Sequence, residues 1–209
     1  MTKGYFLKRP SDFIIALIGF FVSLPLWILI SYAIWLQDYG PVFFAQERVG
    51  FCGRIFMGYK FRSMMPDAER KTGPIQAREN DTRITTVGRL LRKTALDELP
   101  QLLNILRGDM SFVGPRPLRP VEIEVGKTNS ESLDTIQLAA ARMCIMPGLT
   151  GVAQIFASRC ITREEKFKYD LWYGGHQSLF LDAKLIVFSL WISVNRKWDT
   201  TQKGFEKAL

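Results

Sequence analysis

Residues 92 to 117 read Arg-Lys-Thr-Ala-Leu-Asp-Glu-Leu-Pro-Gln-Leu-Leu-Asn-Ile-Leu-Arg-Gly-Asp-Met-Ser-Phe-Val-Gly-Pro-Arg-Pro. From Leu99 the apolar side chains fall at Leu99, Leu102, Leu103 and Leu106, the i, i+3, i+4, i+7 stripe of an amphipathic helix, and Gln101, Asn104 and Arg107 take the other face. Pro100 suits the first helical position, where a missing N–H costs nothing, and Gly108 suits the stop. Asp97 and Glu98 therefore stand at or just before a helix N-terminus. Two readings of that placement are open. Carboxylates there favour the helix dipole, and Thr94-Ala-Leu-Asp97 fits a capping box before an apolar run. Alternatively the same N-terminus gathers phosphates and a cation, with a carboxylate close enough to attack phosphorus. The second reading gains from Arg92 and from Arg116, which the turn Gly114-Pro115-Arg116-Pro117 restricts, because a rigid guanidinium suits bidentate phosphate contacts.

Around this stretch, 209 residues suffice for one domain with its own core plus an appended membrane segment. The sequence has no internal repeat and no low-complexity stretch. A formal charge of +8 fits nucleic acid, an anionic membrane surface or phosphorylated substrates, and a long apolar run turns the balance away from nucleic acid. Cys52, Cys144 and Cys160 are odd in number without paired ligand spacing, which indicates neither a disulfide framework nor a zinc site. His176, the only histidine, has no nucleophile beside it and reads as an ordinary polar surface or interface residue.

That apolar run extends from Phe13 to Leu36, about 24 residues without a formal charge, enough to cross a bilayer as a helix. It is too long for a cleaved signal peptide, and no small-residue cleavage site follows. Hydropathy alone reads it as a transmembrane helix with Lys3, Lys8 and Arg9 on the cytoplasmic side. Such a span would export the basic domain that follows. Pro25 lies at the centre, where it removes a backbone hydrogen bond and kinks the helix, and Ser23 can supply a side-chain bond nearby. A segment that turns back there keeps both ends on one side. The expected division is an anchor over residues 1–37 and a globular domain over 38–209.

Within that domain, residues 41–64 read as short strands and turns, with Lys60 and Arg62 on one strand face, either solvated or touching phosphate or headgroup. Residues 65–80 read as a mobile surface loop. Helices are expected over 82–93, where Ile84, Val87, Leu90 and Leu91 share a side, within 121–142, and over 163–173. Leu179–Val194 is apolar but interrupted by Asp182 and Lys184, which suits an interfacial helix or a core helix against the membrane. Arg196-Lys197-Trp198 then pairs cations with an indole, as at headgroups. The sum is an α+β chain, mainly helical.

The order of several motifs carries a resemblance. Leu-Asp-Glu-Leu-Pro-Gln, then Gly-Asp-Met-Ser-Phe-Val-Gly-Pro-Arg-Pro, then Pro147-Gly-Leu-Thr-Gly-Val-Ala-Gln154, preceded by Gln46-Glu-Arg-Val-Gly50 and Tyr59-Lys-Phe-Arg-Ser-Met64, closely resembles the bacterial sugar transferases, the monotopic phosphoglycosyl transferases. The resemblance covers most of the chain and implies the minimal form of the family, with no membrane domain before the anchor. It implies a re-entrant helix broken by a Ser-Pro pair, which here reads Ser23-Leu24-Pro25. It also departs at Phe156-Ala-Ser-Arg159, where the family has Ala-Gln followed by Asn-Gly-Arg, and at Gly174-Gly175-His176.

By this resemblance the chain transfers a sugar 1-phosphate from a UDP-sugar to undecaprenyl phosphate, releases UMP, and works at the cytoplasmic face of the bacterial inner membrane among anionic lipids. Asp97 would attack the phosphate bearing the sugar and also hold a divalent cation, usually magnesium. Glu98 would assist, and Arg92, Arg116 and Arg142 would bind phosphate. The competing expectations are a non-enzymatic protein of the membrane surface and a bitopic or exported enzyme that uses water as acceptor.

Overall fold

The computed structural model describes residues 4–68, 81–123, 130–132, 139–157 and 161–195. The apolar run forms a single helix, α1 (Lys8–Asp38), which continues as a helix through Pro25. Its 31 residues reach about 46 Å at 1.5 Å each, more than the roughly 30 Å hydrocarbon core of a bilayer. Only 17% of its most apolar window is buried, so α1 is not the core helix of a soluble domain, and it is long and apolar enough to cross a membrane. Beside the proline, the Ser23 hydroxyl donates to the Phe20 carbonyl at 3.1 Å and accepts the Trp27 indole N–H at 3.0 Å.

Both halves of α1 lie against the rest of the chain. Ala16 and Phe20 pack with Leu102, Ile105 and Met110, while Trp27, Ile30 and Ile34 pack with Phe61 and Leu91. Ile14, Ile18, Phe21, Val22, Ile28 and Leu29 stay exposed on the outer side. Polar contacts fix each end. Arg9 donates to the carbonyls of Ile105 and Leu106 at 2.5 and 3.1 Å, and Lys8, buried, reaches Asp182 at 2.7 Å and the Val113 carbonyl at 3.1 Å. At the other end the Arg62 guanidinium forks onto Asp38, and Gln37 accepts the Val87 N–H at 3.0 Å. Lys8 and Arg9, read from the sequence only as charges before the apolar run, thus bond to the domain. Helix-end carbonyls and a buried carboxylate need donors, and these two side chains supply them.

After α1 comes an antiparallel hairpin, β1 (Phe43–Val49) with β2 (Ile55–Phe61). Phe44 lies opposite Lys60 and Gln46 opposite Gly58, so these four share one face with Arg48. The other face sends Phe43 and Phe61 to the Trp27 ring, at centroid distances of 6.1 and 5.3 Å. Two helices follow, α2 (Thr86–Thr94) and α3 (Gln101–Arg107). Thr85 caps α2 by accepting the Gly88 N–H at 2.9 Å, so the helix begins later than its apolar spacing suggests. Leu91 is buried, but Leu90 is exposed. Gly108 ends α3 in the left-handed region at φ 97°, as expected.

A parallel pair, β3 (Ser111–Val113) with β6 (Gly148–Thr150), brings distant segments together. Between them lie β4 (Val121–Ile123), its antiparallel partner β5 (Ser130–Ser132), and a short α4 (Ala139–Met143). The helix expected within 121–142 is thus confined, among the described residues, to its last turn. Pro120 and the β-branched Val121 and Ile123 favour extended chain. Leu133, Ile136 and Leu138, expected on that helix, lie outside the described residues, as do residues 69–80 of the expected loop, Arg159 and Arg196-Lys197-Trp198. Three helices close the chain, α5 (Val152–Phe156), α6 (Arg163–His176) and α7 (Leu179–Val194). One face of α7 buries Leu181, Leu185 and Ile192 against Val113 and Ile155, and the other exposes Phe180, Val187, Leu190 and Trp191. The mainly helical α+β class holds.

Candidate active site

The two carboxylates sit where the chain reverses between α2 and α3. Ala95 takes a left-handed conformation at φ 56°, a position where glycine is usual, and a single 3₁₀ turn, Leu96–Glu98, leads to Pro100 and α3. The Thr94 hydroxyl donates to the Leu90 and Leu91 carbonyls, at 2.9 and 3.1 Å, so it closes its own helix and caps nothing downstream. That overturns the capping-box reading. An irregular terminus also removes the quarter-turn divergence that would separate adjacent side chains on a regular helix.

Asp97 and Glu98 face different surroundings. Glu98 is gripped by Lys60 at 2.5 Å and Arg116 at 2.9 Å. Burial alone would raise its carboxyl, but these two cations hold it far below the usual carboxylate range. Asp97 is buried, and no hydrogen-bond donor among the described residues meets its carboxylate. Burial raises it, and the nearby charges of Lys60, Arg92 and Arg116 offset only part of that rise. Lys60 is pushed down by its own burial, against the pull of Glu98. The result is one fixed, ionised carboxylate holding two cations beside a second carboxylate without a bonded partner.

Backbone ladders deliver Arg116. The Gly114 N–H donates to the Thr150 carbonyl and the Gly148 N–H to the Pro115 carbonyl, both at 2.9 Å. A Cβ on Gly114 would lie 2.1 Å from the Met146 carbonyl oxygen, and one on Gly148 would lie 2.1 Å from the Gly114 nitrogen. Glycine at both places is what lets the Gly-Pro-Arg-Pro turn meet the Pro-Gly-Leu-Thr-Gly segment. Arg142 is buried behind this turn. Its Nε donates to Asp170 at 2.6 Å, its Nη2 donates to the Arg116 carbonyl, and its guanidinium lies 4.8 Å from the Phe167 ring centre. The structure thus groups Asp97, Glu98, Arg92 and Arg116, and places Arg142 behind them.

Three side chains carry more than the sequence indicated. Gln46, Arg48 and Lys60 line an open cleft with Phe44, Glu98 and Arg116, and Arg48 donates to Gln46 at 2.8 Å. Gln46 and Arg48 lie two residues apart on β1, and the pairing register sets Lys60 of β2 on the same face, where it meets Glu98. Asn104, read as part of the polar outer face of α3, is fully buried. It accepts the Tyr59 N–H at 3.1 Å and donates to the Met57 carbonyl at 2.8 Å and to Asp109 at 3.2 Å. This clamp locks β2 against α3 and so places Lys60, the residue after Tyr59.

A hard divalent cation is commonly held by one or two carboxylates, water and substrate phosphates. Asp97, buried and without a bonded donor, fits that role, whereas Glu98 is already engaged. Among the described residues no group of three acidic, histidine or cysteine side chains converges, so a substrate diphosphate would complete the coordination.

Comparison with known proteins agrees with this arrangement. The model of the family described as bacterial sugar transferase matches residues 3–196. The chain is 39% identical over 188 residues to the undecaprenyl-phosphate glucose phosphotransferase of Komagataeibacter xylinus, covering 88% of this chain and 35% of that protein. It is 40% identical over 193 residues to the UDP-glucose:undecaprenyl-phosphate glucose-1-phosphate transferase of Xanthomonas campestris pv. campestris, covering 89% and 39%. It is 35% identical over 195 residues to the undecaprenyl-phosphate galactose phosphotransferase of Salmonella typhimurium, covering 87% and 39%. The chain therefore spans well under half the length of these relatives. The stretch they share holds the carboxylate turn, the Gly-Pro-Arg-Pro turn and the strand pair joining them, and by that match the chain belongs to the bacterial sugar transferase family.

Proposed function

We propose that this chain transfers a sugar 1-phosphate from a UDP-sugar to undecaprenyl phosphate and releases UMP, as a first membrane step of glycan assembly. The observation that carries the reading is Asp97, a buried carboxylate that meets no hydrogen-bond donor among the described residues and feels the charges of Lys60, Arg92 and Arg116. A carboxylate with no bonded partner keeps its lone pairs for phosphorus, and the three cations offset its repulsion from an anionic diphosphate. An Asp97 oxygen bonds to the phosphorus that bears the sugar while that phosphorus parts from the bridging oxygen, whose electrons leave with UMP. An oxygen of the lipid phosphate then attacks the same phosphorus, the acyl–phosphate bond breaks, and Asp97 is regenerated with the sugar diphosphate on the lipid.

Glu98 assists by holding Lys60 and Arg116 across the cleft, and Arg142 acts through the Arg116 carbonyl. A magnesium ion at Asp97 would neutralise diphosphate charge. The position of α1 supports a lipid acceptor. The carboxylate turn runs directly into α3, and α3 packs on α1, so the chemistry lies about one helix diameter from the apolar segment. Contact of both halves of α1 with one domain supports a re-entrant or in-plane anchor, which keeps the site on the cytoplasmic face beside anionic headgroups. The relatives' names include glucose and galactose, and the donor sugar here is to be found by assay.

The test is UMP release from a panel of UDP-sugars with magnesium, with and without undecaprenyl phosphate. Lipid-dependent UMP from one donor is expected, and Asp97→Asn should lower it about a thousandfold or more. Turnover near wild type in that variant would remove Asp97 as the nucleophile, and lipid binding without UMP from any donor would leave a membrane-surface binding protein.

A further inference from the structure

Phe44 has no part in the chemistry above. It is the aromatic ring that lines the cleft, and 42% of its surface is exposed. Its backbone register sets it opposite Lys60, so the two Cβ atoms lie about 5 Å apart on one face. A phosphate held by Lys60 therefore carries its first substituent atoms into reach of this ring. The preceding residue, Phe43, points the other way and meets Trp27 of α1, two residues from Pro25. Phe44 thus gives the cleft an exposed apolar ring one residue from the anchor contact, and Gln46, Arg48 and Gln101 are among the polar groups of its lining.

We propose that Phe44 contacts the first isoprene units of the lipid acceptor, where the chain leaves the bilayer and its phosphate reaches Lys60. This rests on the transferase reading above. A nucleobase would place its polar edges toward Gln46, Arg48 and Gln101 elsewhere in the cleft, while a branched hydrocarbon gains from apolar contact with the ring alone. Phe44 is then an acceptor-specificity residue beside a cation, Lys60, that meets the phosphate of each substrate in turn.

The experiment measures KM for undecaprenyl phosphate, for a water-soluble phosphate with two isoprene units, and for the UDP-sugar, in the full chain. Phe44→Ala should raise both acceptor KM values about tenfold, with the donor KM changed less than about twofold, and Phe44→Leu should restore most of the loss. Phe44→Gln, which keeps side-chain length, should show the same pattern and serves if the alanine variant does not fold. A raised donor KM with unchanged acceptor KM would put the ring on the nucleotide and overturn the proposal, as would two unchanged values. A wild-type protein that releases no lipid-dependent UMP overturns the transferase reading itself, whereas the first two results leave that reading standing.

Discussion

At Asp97 and Glu98, adjacent carboxylates meet opposite fields. Lys60 and Arg116 hold Glu98 ionised, so its removal would leave two cations facing each other. Asp97 is raised by burial, which means that the fold favours its neutral form and is weakened as pH rises through its folded value. Asp97→Asn mimics that neutral form. It should therefore melt no lower than wild type at neutral pH in a thermal scan without divalent ions, while losing the proposed transfer activity. Asn104 shows the reverse relation between stability and chemistry. Asn104→Leu would strand the Tyr59 N–H and the Met57 carbonyl, at a cost of about 2–4 kcal/mol in denaturant unfolding. Because Lys60 follows Tyr59, the folded fraction should also turn over more slowly. The sequence singled out Asp97, Glu98 and Arg116 as candidates through their spacing and motifs, and the structure groups them, but it left Asn104 on a polar face. Helical periodicity reports which side chains are apolar, and Asn104 is buried because β2 offers it backbone partners, while Arg107 of the same face stays exposed.

The elements most legible in the sequence were those stabilised by their own ends. In α6, Thr162 accepts the Glu165 N–H at 3.2 Å, and the Glu165 carboxylate accepts the Thr162 N–H at 2.8 Å, a complete capping box. The bonds from the Thr162 backbone and hydroxyl lower the Glu165 carboxyl below its ordinary 4.5. A lowered carboxyl stabilises the fold above that value and loses its contribution as pH falls through the folded value. Thr162→Ala should cost about 1 kcal/mol near neutrality by chemical denaturation, and less in acid. The element least legible was the segment between β3 and α4. Its small and acidic residues suggested a helix, and the pairing of β4 with β5 is a contact between strands that no local pattern announces.

At the scale of the whole molecule, α1 is the organising element. Its outer side is apolar and exposed, its inner side packs along α3 and then along β2 and α2, and polar clamps at Lys8 and Asp38 fix both ends. The proposed re-entrant or in-plane anchor makes a prediction about its two ends. Cysteines at Gly4 and Tyr39, in a background lacking Cys52, Cys144 and Cys160, should both react with an impermeant thiol reagent from the cytoplasmic side of sealed vesicles. Reaction from opposite sides would establish a span and remove the re-entrant reading.

Composition and spacing by themselves determined an apolar segment of membrane length, a carboxylate pair before a helix, and arginines restrained near it, because these follow from periodicity and from the conformational limits of proline and glycine. Tertiary structure alone decided which carboxylate is held and which is left without a bonded donor, because that depends on a strand 38 residues away bringing Lys60 to Glu98. It likewise turned Lys8 and Arg9 inward and set Arg142 behind Arg116. A charge finds its partner through the packing of distant segments, and local sequence carries no record of that distance.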